Sequence, residues 1–311
     1  MTGAAGRRRK RLGRIGFLNV LPVCYAMENG VIRHDYEIVS ATPAELNRSI
    51  AGAQLDASAV SCVEYARRAE NYLVLPDLSI SSHGPVRSVV CLSRRPFANM
   101  AEKAVVISAQ SHTSVLLLRL LLAELYGVKE ITALTGHPGS EIAAGNLPEA
   151  FLAIGDEALR YGRHPAYPYR MDLGAAWKEL TGLPFVYALW VVRRQAFDPV
   201  EADETFGSDR SAPIPGRERA MPLAPEEEGE DDPGALLRAS RDWGMAHMDE
   251  VLAAAAAAYP FMDMAGLKDY FSCLKYSLGD FEQAGLKLFW QKLAAAGELP
   301  EPPELVFLRR R

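Results

Sequence analysis

The stretch that decides the fold is RIGFLNVLPV, which occupies residues 14–23. It predicts a short buried strand over residues 14–18 that ends at Asn19, followed by a helix that begins near Pro22. Open α/β sheets build binding sites in this way, because their ligands lie beyond the carboxyl ends of strands and face helix N-termini. A plain capping turn has the same pattern, so the later segments have to decide between the two interpretations.

The later segments repeat the alternation of strands and helices. Two of the helices begin with capping boxes, at residues 42–45 (TPAE) and 61–64 (SCVE). Strands that alternate with such helices are typical of βαβ units and of a largely parallel sheet. The other predicted strands cover residues 36–40, 57–60, 72–75, 87–93, 104–108, 150–154 and 183–192, and further helices cover residues 111–126 and 172–180.

Composition and charge exclude several classes of protein. The chain has 311 residues, of which 49% are hydrophobic and 23% charged, so it has room for two domains and is not disordered as a whole. A formal net charge of −5 argues against nucleic-acid binding. The four cysteines form no CxxC pair, and the sequence contains no GxGxxG, GxxxxGK[ST], HExxH or GxSxG motif. We therefore expect neither a metal nor a cofactor.

Residues 1–11 are predicted to form a disordered basic tail. The run RRRKR at residues 7–11 imitates a signal peptide, but Asn19 and Pro22 interrupt the apolar stretch that follows and no small-x-small cleavage site appears. No stretch reaches the ~18 apolar residues that a membrane span needs. We expect a cytoplasmic protein without a membrane segment.

The order of the elements predicts a two-lobed α/β clamshell with a central cleft. Two α/β units are followed by helices at about residues 235–258, 264–274 and 281–295. We expect residues 12–92 and 194–311 to form the first lobe and residues 93–193 the second, with crossings near the strands at 87–93 and 183–192. Residues 207–234 are rich in glycine, proline and acidic residues, which predicts a flexible acidic insertion in the first lobe.

The helix predicted from residue 111 begins with an anion-binding pattern. Hydroxyl groups and free backbone N–H groups converge there, where the helix dipole is positive. Hydrogen bonds to a carboxylate contribute about 1.5–3 kcal/mol each, so three or four of them would hold a small acid without an arginine. An ordinary N-cap has the same pattern. The residues concerned are Ser111, His112, Thr113 and Ser114.

Two further turns offer polar contacts. One, at residues 84–88, ends with the hydroxyl of Ser88, and the other begins a short helix with Gly155 and Asp156, whose carboxylate is suited to a substrate hydroxyl. A β-turn and a helix N-cap are the alternative interpretations. Neither His83 nor His112 has the nucleophile or carboxylate partner that a catalytic triad requires.

Six motifs, taken in order, resemble the chorismate dehydratase family of the futalosine route to menaquinone. The resemblance is dense over residues 14–195 and looser over residues 235–308. It implies a fold like that of type II periplasmic binding proteins, and it implies removal of water from chorismate to give 3-[(1-carboxyvinyl)oxy]benzoate. The motifs are Phe17-Leu18-Asn19-x-Leu21-Pro22, Thr42-Pro43-x-x-Leu46, Gly84-Pro85-Val86-x-Ser88, Ser111-x-Thr113-Ser114-Val115, Ile154-Gly155-Asp156-x-Ala158-Leu159, and Asp172-Leu173-Gly174 continued by Trp177-Lys178 and Thr181-Gly182-Leu183-Pro184-Phe185-Val186.

The resemblance also implies roles for the polar residues. Chorismate is a dianion, and loss of its C3 proton and C4 hydroxyl makes an aromatic ring, so the enzyme has to orient it, stabilise developing charge and exclude water. We expect Asn19 and Ser88 to face the reacting carbons as catalytic residues. The base is either a carboxylate of the substrate or His112. The expected substrate-binding residues are Ser61, Gly84, Pro85, Val86, Ser111, His112, Thr113, Ser114, Gly155 and Asp156.

Two alternatives stay open at this point. A sister family of the same fold makes 1,4-dihydroxy-6-naphthoate, but its first strand tends to end in a Ser-Pro-Cys-Pro-Asn-Asp-Thr run, whereas Phe17-Leu18-Asn19 stands here. A solute-binding protein would capture a small carboxylate without chemistry, and it would carry an exported N-terminus. In every case the expected partner is a small molecule, and the sequence leaves the oligomeric state undetermined.

Overall fold

The computed structural model describes residues 8–108, 112–197 and 232–309, and within these ranges the chain forms two β-sheets flanked by helices. The strands are β1 Arg11–Ile15, β2 Glu37–Ala41, β3 Ala57–Ser61, β4 Tyr72–Ser82, β5 Val89–Ser93, β6 Ala104–Ser108, β7 Thr132–Gly136, β8 Ala150–Ile154, β9 Tyr169–Asp172, β10 Phe185–Arg193 and β11 Leu274–Lys275. The helices are α1 Leu21–Glu28, α2 Pro43–Ala51, α3 Cys62–Arg67, α4 His112–Tyr126, α5 Pro138–Ala143, α6 Gly155–Tyr161, α7 Leu173–Thr181, α8 Pro233–Ala246, α9 Met248–Ala258, α10 Met264–Cys273 and α11 Asp280–Ala295.

The first sheet has the strand order β11-β4-β10-β3-β1-β2. Strand β1 pairs in parallel with β2 and β3, whereas β10 runs antiparallel between β3 and β4. The sheet is therefore mixed rather than largely parallel, because the chain returns to it after passing through the second sheet. We call this sheet, together with α1–α3 and α8–α11, the first lobe.

The second sheet has the strand order β7-β6-β8-β5-β9. Strand β6 pairs in parallel with β7 and β8, and β5 runs antiparallel to both β8 and β9. All five residues of β8 are buried, as expected for a strand that lies at the centre of its sheet. We call this sheet, together with α4–α7, the second lobe.

The crossings between the lobes lie one strand earlier than the sequence predicted. Strand β5 belongs to the second sheet, and β10 belongs to the first, so the chain crosses between residues 82 and 89 and again between residues 181 and 185. The predicted boundaries at 92/93 and 193/194 put each strand in the wrong lobe. The reason is that an apolar run does not reveal which sheet will supply its partner strands.

Other predicted elements match closely, and some differ. Strands β6 and β8 have the predicted bounds, and the capping box at Thr42 is present, with the Thr42 N–H donating to Glu45 Oε2 over 2.9 Å. The predicted helix at 235–258 is divided into α8 and α9 at His247, whose backbone leaves the helical region. The sequence analysis did not predict β7, α5 or β9.

Both ends of the predicted N-terminal strand are corrected by the structure. Strand β1 begins at Arg11 rather than residue 14, and residues 18–20 form a 3₁₀ turn instead of extended chain. Residues 8–10 are ordered against the first sheet, where the Arg8 guanidinium lies 3.2 Å from the Asp56 carboxylate. The first seven residues of the predicted tail, and residues 207–231 of the predicted insertion, lie outside the described residues. Residues 233 and 234 begin helix α8.

Candidate active site

A cavity lies between the two lobes, at the edge where strands β1, β3 and β8 reach their carboxyl ends. Its unfilled volume, counting space that opens to solvent, is about 790 Å³. None of the described residues that line it carries a carboxylate, ammonium or guanidinium group. Eight of the residues predicted to form a site are among its lining: Asn19, Ser61, Val86, Ser88, His112, Thr113, Ser114 and Gly155.

Asn19 lies in the 3₁₀ turn that follows β1. Its backbone carbonyl accepts a hydrogen bond from the hydroxyl of Tyr276 over 2.9 Å. Its side-chain Oδ1 is buried and has no hydrogen-bond partner among the described residues. A buried acceptor without a donor is costly, so its presence at a cavity wall indicates that a bound molecule supplies the donor.

At the start of α3, the hydroxyl oxygen of Ser61 already accepts two hydrogen bonds. Ser61 caps this helix, and its Oγ accepts from the Glu64 N–H over 3.2 Å and from Asn47 Nδ2 over 3.3 Å. The Asn47 side chain in turn accepts from the Ser61 N–H over 3.2 Å. A hydroxyl that accepts two hydrogen bonds still has its proton to donate, and at this place the proton is available to an acceptor in the cavity.

The start of α4 meets the start of α3 across the two lobes. Thr113, which is buried, accepts a hydrogen bond at its Oγ1 from the Val63 N–H of α3 over 3.4 Å. Buried Ser114 and exposed His112 lie beside it on the cavity wall. Two helix N-termini and their hydroxyl groups thus point toward one region, which favours a negatively charged group. Ser111 was predicted to share this role and lies outside the described residues.

Burial sets the ionisation of two groups near these helix starts. Burial raises the pKa of the Cys62 thiol to about 12, and a hydrogen bond with Thr113 lowers it by less. Burial likewise raises the pKa of Tyr187, which lines the cavity, well above its ordinary value. Cys62 is therefore a neutral thiol rather than a nucleophile near neutral pH, and Tyr187 is a neutral hydroxyl.

Ser88 faces the opposite wall of the cavity, just before β5. Its backbone carbonyl accepts from the Gly155 N–H over 2.7 Å, which ties it to the start of α6. Its side-chain hydroxyl donates a long 3.4 Å hydrogen bond to the Val86 carbonyl, and its nearness to the Tyr270 phenol lowers the pKa of that phenol by less than burial raises it. The hydroxyl is thus held from one side and open to the cavity on the other.

Gly155 of the second lobe packs against Phe17 of the first lobe. Its φ is +55°, and a Cβ atom at this position would lie 2.8 Å from the Phe17 ring of the first lobe. Both the left-handed backbone and the contact require glycine. This tight packing explains why a glycine stands at position 155 in the motif Ile154-Gly155-Asp156.

Three of the predicted site residues lie outside the cavity wall. Gly84 and Pro85 belong to the crossing between β4 and β5, where the Gly84 carbonyl accepts from Ser82 Oγ over 2.9 Å. Asp156 accepts from the Leu18 N–H over 3.4 Å and from the Tyr259 hydroxyl over 2.9 Å. Its carboxylate thus bridges the second lobe to two elements of the first and does not line the cavity.

Four residues at or beside the cavity were not predicted from the sequence: Asn47, Tyr187, Tyr270 and Tyr276. A signal existed for two of them: Asn47 is a poor helix former in the middle of α2, and Tyr187 carries the single hydroxyl within the apolar run of β10. No local signal existed for Tyr270 and Tyr276. They lie 182 and 257 residues along the chain from the site residues they contact, Ser88 and Asn19.

Metal and membrane features are absent from the part of the chain that the structure describes. In residues 8–108, 112–197 and 232–309, no three His, Cys, Asp or Glu side chains come together as a set of metal ligands. No helix in these ranges is long and apolar enough to span a membrane.

Comparison with solved structures identifies the fold. A protein from Archaeoglobus fulgidus has a TM-score of 0.70 at 19% identity, and the alignment covers 94% of this chain and 98% of that one. The periplasmic aliphatic sulphonate binding protein SsuA from Escherichia coli has a TM-score of 0.59 at 12% identity, with 96% of both chains covered. These similarities confirm the predicted two-lobed fold of the periplasmic-binding-protein type.

Comparison of sequences identifies the family. A chorismate dehydratase from Thermus thermophilus is 26% identical over 300 residues, which are 91% of this chain and 94% of that relative. The sequence model of a menaquinone biosynthesis family matches residues 10–209 and 227–295. Because that match spans well over half of the chain, the protein belongs to the menaquinone biosynthesis family.

Proposed function

We propose that this protein is a chorismate dehydratase, a carbon–oxygen lyase that removes water from chorismate to give 3-[(1-carboxyvinyl)oxy]benzoate. The observation that carries the proposal is a cavity walled by neutral hydrogen-bond donors that also contains one buried acceptor without a partner, Asn19 Oδ1. A dianion that bears a hydroxyl group complements both features. The similarity to the Thermus thermophilus chorismate dehydratase supports the same substrate.

The two helix starts supply the carboxylate contacts in this proposal. Ser61, Thr113 and Ser114 donate their hydroxyl protons to carboxylate oxygens, in the region where both helix dipoles are positive. Hydrogen bonds to a charged group contribute about 1.5–3 kcal/mol each, so three of them hold the anion without a cationic side chain. A water-excluding wall of apolar side chains strengthens them further.

Asn19 and Ser88 act on the leaving group. The C4 hydroxyl donates a hydrogen bond to Asn19 Oδ1, which orients it, and accepts one from the Ser88 hydroxyl, which stabilises the negative charge that develops on the departing oxygen. The C3 proton passes to the base, the electrons of the C3–H bond form the new ring double bond, and the C4–O bond breaks. The departing hydroxide takes up a proton from the protonated base, so that water is released and the base is regenerated. The proton acceptor is a carboxylate of the substrate or His112, since no acidic side chain lines the described cavity wall.

We propose a cytoplasmic location, which the place of the first strand supports. The basic and apolar N-terminal stretch that imitates a signal peptide forms β1 and α1, and β1 lies between β2 and β3 in the first sheet. Cleavage after this stretch would remove an internal strand of the sheet. Cell fractionation with an antibody against the protein tests this part of the proposal.

The test of the function is incubation of the purified protein with chorismate and a metal chelator, followed by chromatography and mass analysis. We expect a product lighter by one water, with an aromatic absorption. Unchanged chorismate, together with turnover of the substrate of 1,4-dihydroxy-6-naphthoate synthases, would assign the protein to that activity instead. Unchanged chorismate with a raised melting temperature would indicate a binding protein.

A further inference from the structure

The side chain of Asn47 holds the start of α3 through two hydrogen bonds. Asn47 lies on α2, is 6% exposed, and lines the cavity together with Ser61. Its Oδ1 accepts from the Ser61 N–H over 3.2 Å, and its Nδ2 donates to Ser61 Oγ over 3.3 Å. The amide group therefore contacts both the backbone and the side chain of one residue at the cavity wall.

The direction of each bond follows from the chemistry of its donor. A backbone N–H can only donate, so the amide atom that faces the Ser61 N–H has to be the oxygen, and the atom that faces Ser61 Oγ has to be the nitrogen. The Glu64 N–H is a second obligatory donor to the same Oγ, over 3.2 Å. Both acceptor positions of the Ser61 hydroxyl are thus occupied, and no described residue accepts its proton.

A carboxylate in place of this amide would reverse the direction of the hydroxyl, and the same helix contains an example. At the start of α2, Glu45 Oε2 accepts from the Thr42 N–H over 2.9 Å and from Thr42 Oγ1 over 2.7 Å. The Thr42 hydroxyl therefore donates its proton within the protein. A carboxylate at position 47 would satisfy the Ser61 N–H in the same way, so the fold by itself does not require an amide there.

We propose that Asn47 is a positioning residue that directs the Ser61 hydroxyl proton toward the substrate and so selects a carboxylate at this place in the cavity. The proposal rests on the function proposed above. A carboxylate oxygen meets a proton that already points toward it, whereas a ligand group that can only donate meets no free acceptor on Ser61. The neutral amide also adds no negative charge that would repel the anion.

A double-mutant cycle between positions 47 and 61 tests the proposal. Ser61→Ala removes the hydroxyl, and the isosteric Asn47→Asp keeps an acceptor for the Ser61 N–H while it draws the hydroxyl proton away from the cavity. We expect Ser61→Ala to raise KM for chorismate about tenfold or more in the wild-type background, the scale of one hydrogen bond to a charged group. The value of kcat should change much less, because the bond is made in the ground state and the transition state alike.

In the Asn47→Asp background, the same Ser61→Ala substitution should raise KM less than twofold. Repulsion between the new carboxylate and the substrate is present in both proteins of that comparison, so it cancels. Asn29→Asp is the control for added charge, because Asn29 is exposed at the end of α1 and donates to the Tyr25 carbonyl over 2.9 Å. It should leave the effect of Ser61→Ala at its wild-type size. An equal effect of Ser61→Ala in the wild-type and Asn47→Asp backgrounds would overturn the proposal.

A crystal structure of Asn47→Asp without substrate tests the direction of the hydroxyl independently of the proposed function. We expect the distance from Ser61 Oγ to the oxygen that replaces Nδ2 to shorten from 3.3 Å to about 2.7 Å, the length of a hydroxyl–carboxylate hydrogen bond. A distance that does not shorten would overturn the proposal. Wild-type protein that leaves chorismate unchanged would overturn the proposed function, and this structure would still decide what directs the Ser61 hydroxyl.

Discussion

At the scale of single residues, the site combines side chains that already make hydrogen bonds with one acceptor atom that makes none. Ser61, Asn47 and Thr113 are engaged in hydrogen bonds before any ligand arrives, which fixes their directions. Asn19 Oδ1 has no donor among the described residues. An unpartnered buried acceptor lowers stability, so we expect Asn19 to serve a bound molecule rather than the fold.

Replacement of Asn19 tests that distinction. We expect Asn19→Ala to lower kcat for chorismate about 100-fold, because an oriented polar group at a leaving group contributes on that scale. Since no hydrogen bond of Oδ1 is lost, Tm should stay constant or rise. Asn29→Ala is the control, because Asn29 is exposed at the end of α1. Near-normal turnover of Asn19→Ala would remove Asn19 from the mechanism.

Replacement of Gly155 tests the contact between the lobes. In Gly155→Ala the added Cβ atom clashes with the Phe17 ring, and the alanine has to adopt a left-handed backbone conformation. In Gly145→Ala there is backbone strain alone, because φ is +82° and the space around the added Cβ atom is open. We expect Gly145→Ala to lose about 1 kcal/mol of stability and Gly155→Ala about 1–3 kcal/mol more. KM for chorismate should rise only in Gly155→Ala. Denaturant titration and steady-state kinetics measure both effects, and equal losses in the two variants would contradict the proposed contact.

At the scale of elements, one aspartate joins α7 to the crossing between the lobes. The Asp172 carboxylate accepts from the N–H groups of Val86 and Arg87 in the crossing and from those of Gly174 and Ala175 at the start of α7. A helix cap and a chain crossing therefore depend on the same side chain. The Asp172 carboxylate thus satisfies two backbone N–H groups of a segment that has no regular secondary structure.

Removal of the Asp172 carboxylate should lower the free energy of unfolding by more than removal of an ordinary helix-capping side chain does. We expect Asp172→Ala to lose about 1–2 kcal/mol for the cap and about 1–3 kcal/mol more for the N–H groups left in the crossing. Asp263→Ala is the control, since Asp263 caps α10 through the Gly266 N–H alone. Denaturant unfolding gives the free energies, and hydrogen exchange at residues 84–88 should increase only in Asp172→Ala. Equal stabilities of the two variants would show that the crossing does not depend on Asp172.

The contacts of Asp156, which join α6 to the first lobe, make a pH-dependent contribution to stability. Burial raises the pKa of Asp156, and the hydrogen bonds from Tyr259 and Leu18 and the charges of Arg14 and Arg160 lower it by less. The folded protein thus binds this proton more tightly than the unfolded chain. The stabilising contribution is present in full below the pKa of the unfolded chain and is lost as pH rises through the raised folded pKa.

Substitution by asparagine isolates this effect. Asp156→Asn keeps an acceptor for Tyr259 and removes the ionisable group. Its free energy of unfolding should therefore lack the decrease with rising pH that ionisation of Asp156 causes in the wild-type protein. We expect the wild-type protein to become less stable relative to Asp156→Asn as pH increases across the acidic range. Parallel urea titrations of both proteins from acidic to neutral pH give the difference. A difference that is constant with pH, or that has the opposite sign, would contradict the raised pKa.

At the scale of the whole molecule, the family match leaves residues 210–226 unmatched. We expect a variant that lacks these residues to keep kcat/KM for chorismate within twofold of the wild type, because the cavity wall is built from residues 15–274 outside this stretch. Steady-state kinetics and Tm of the shortened protein test this expectation. A large loss of turnover with an unchanged Tm would assign the stretch a part in the reaction.

Local signals made much of the fold predictable from the sequence. The capping residues Thr42 and Asp172 set helix starts, and the apolar runs of β6 and β8 set strands, because each signal acts within a few residues. Strand β7 is largely exposed at a sheet edge and carries no apolar period. The place of β10 between β3 and β4, and the contacts of Tyr270 and Tyr276, depend on residues far apart in sequence, and no local pattern encodes them.

The chain forms the whole second sheet between two passages through the first sheet, and this affects the order in which the sheets can form during synthesis. Strands β5–β9 are contiguous in the chain, so the second lobe has all of its strands once residue 172 has left the ribosome. Strand β4 cannot complete its pairing until both of its neighbours have been synthesised. These are β10, which lies between β4 and β3, and β11 near the C-terminus. During translation the sheet of the second lobe can therefore be completed first, and the nascent first sheet exposes an unpaired edge until the chain returns to it.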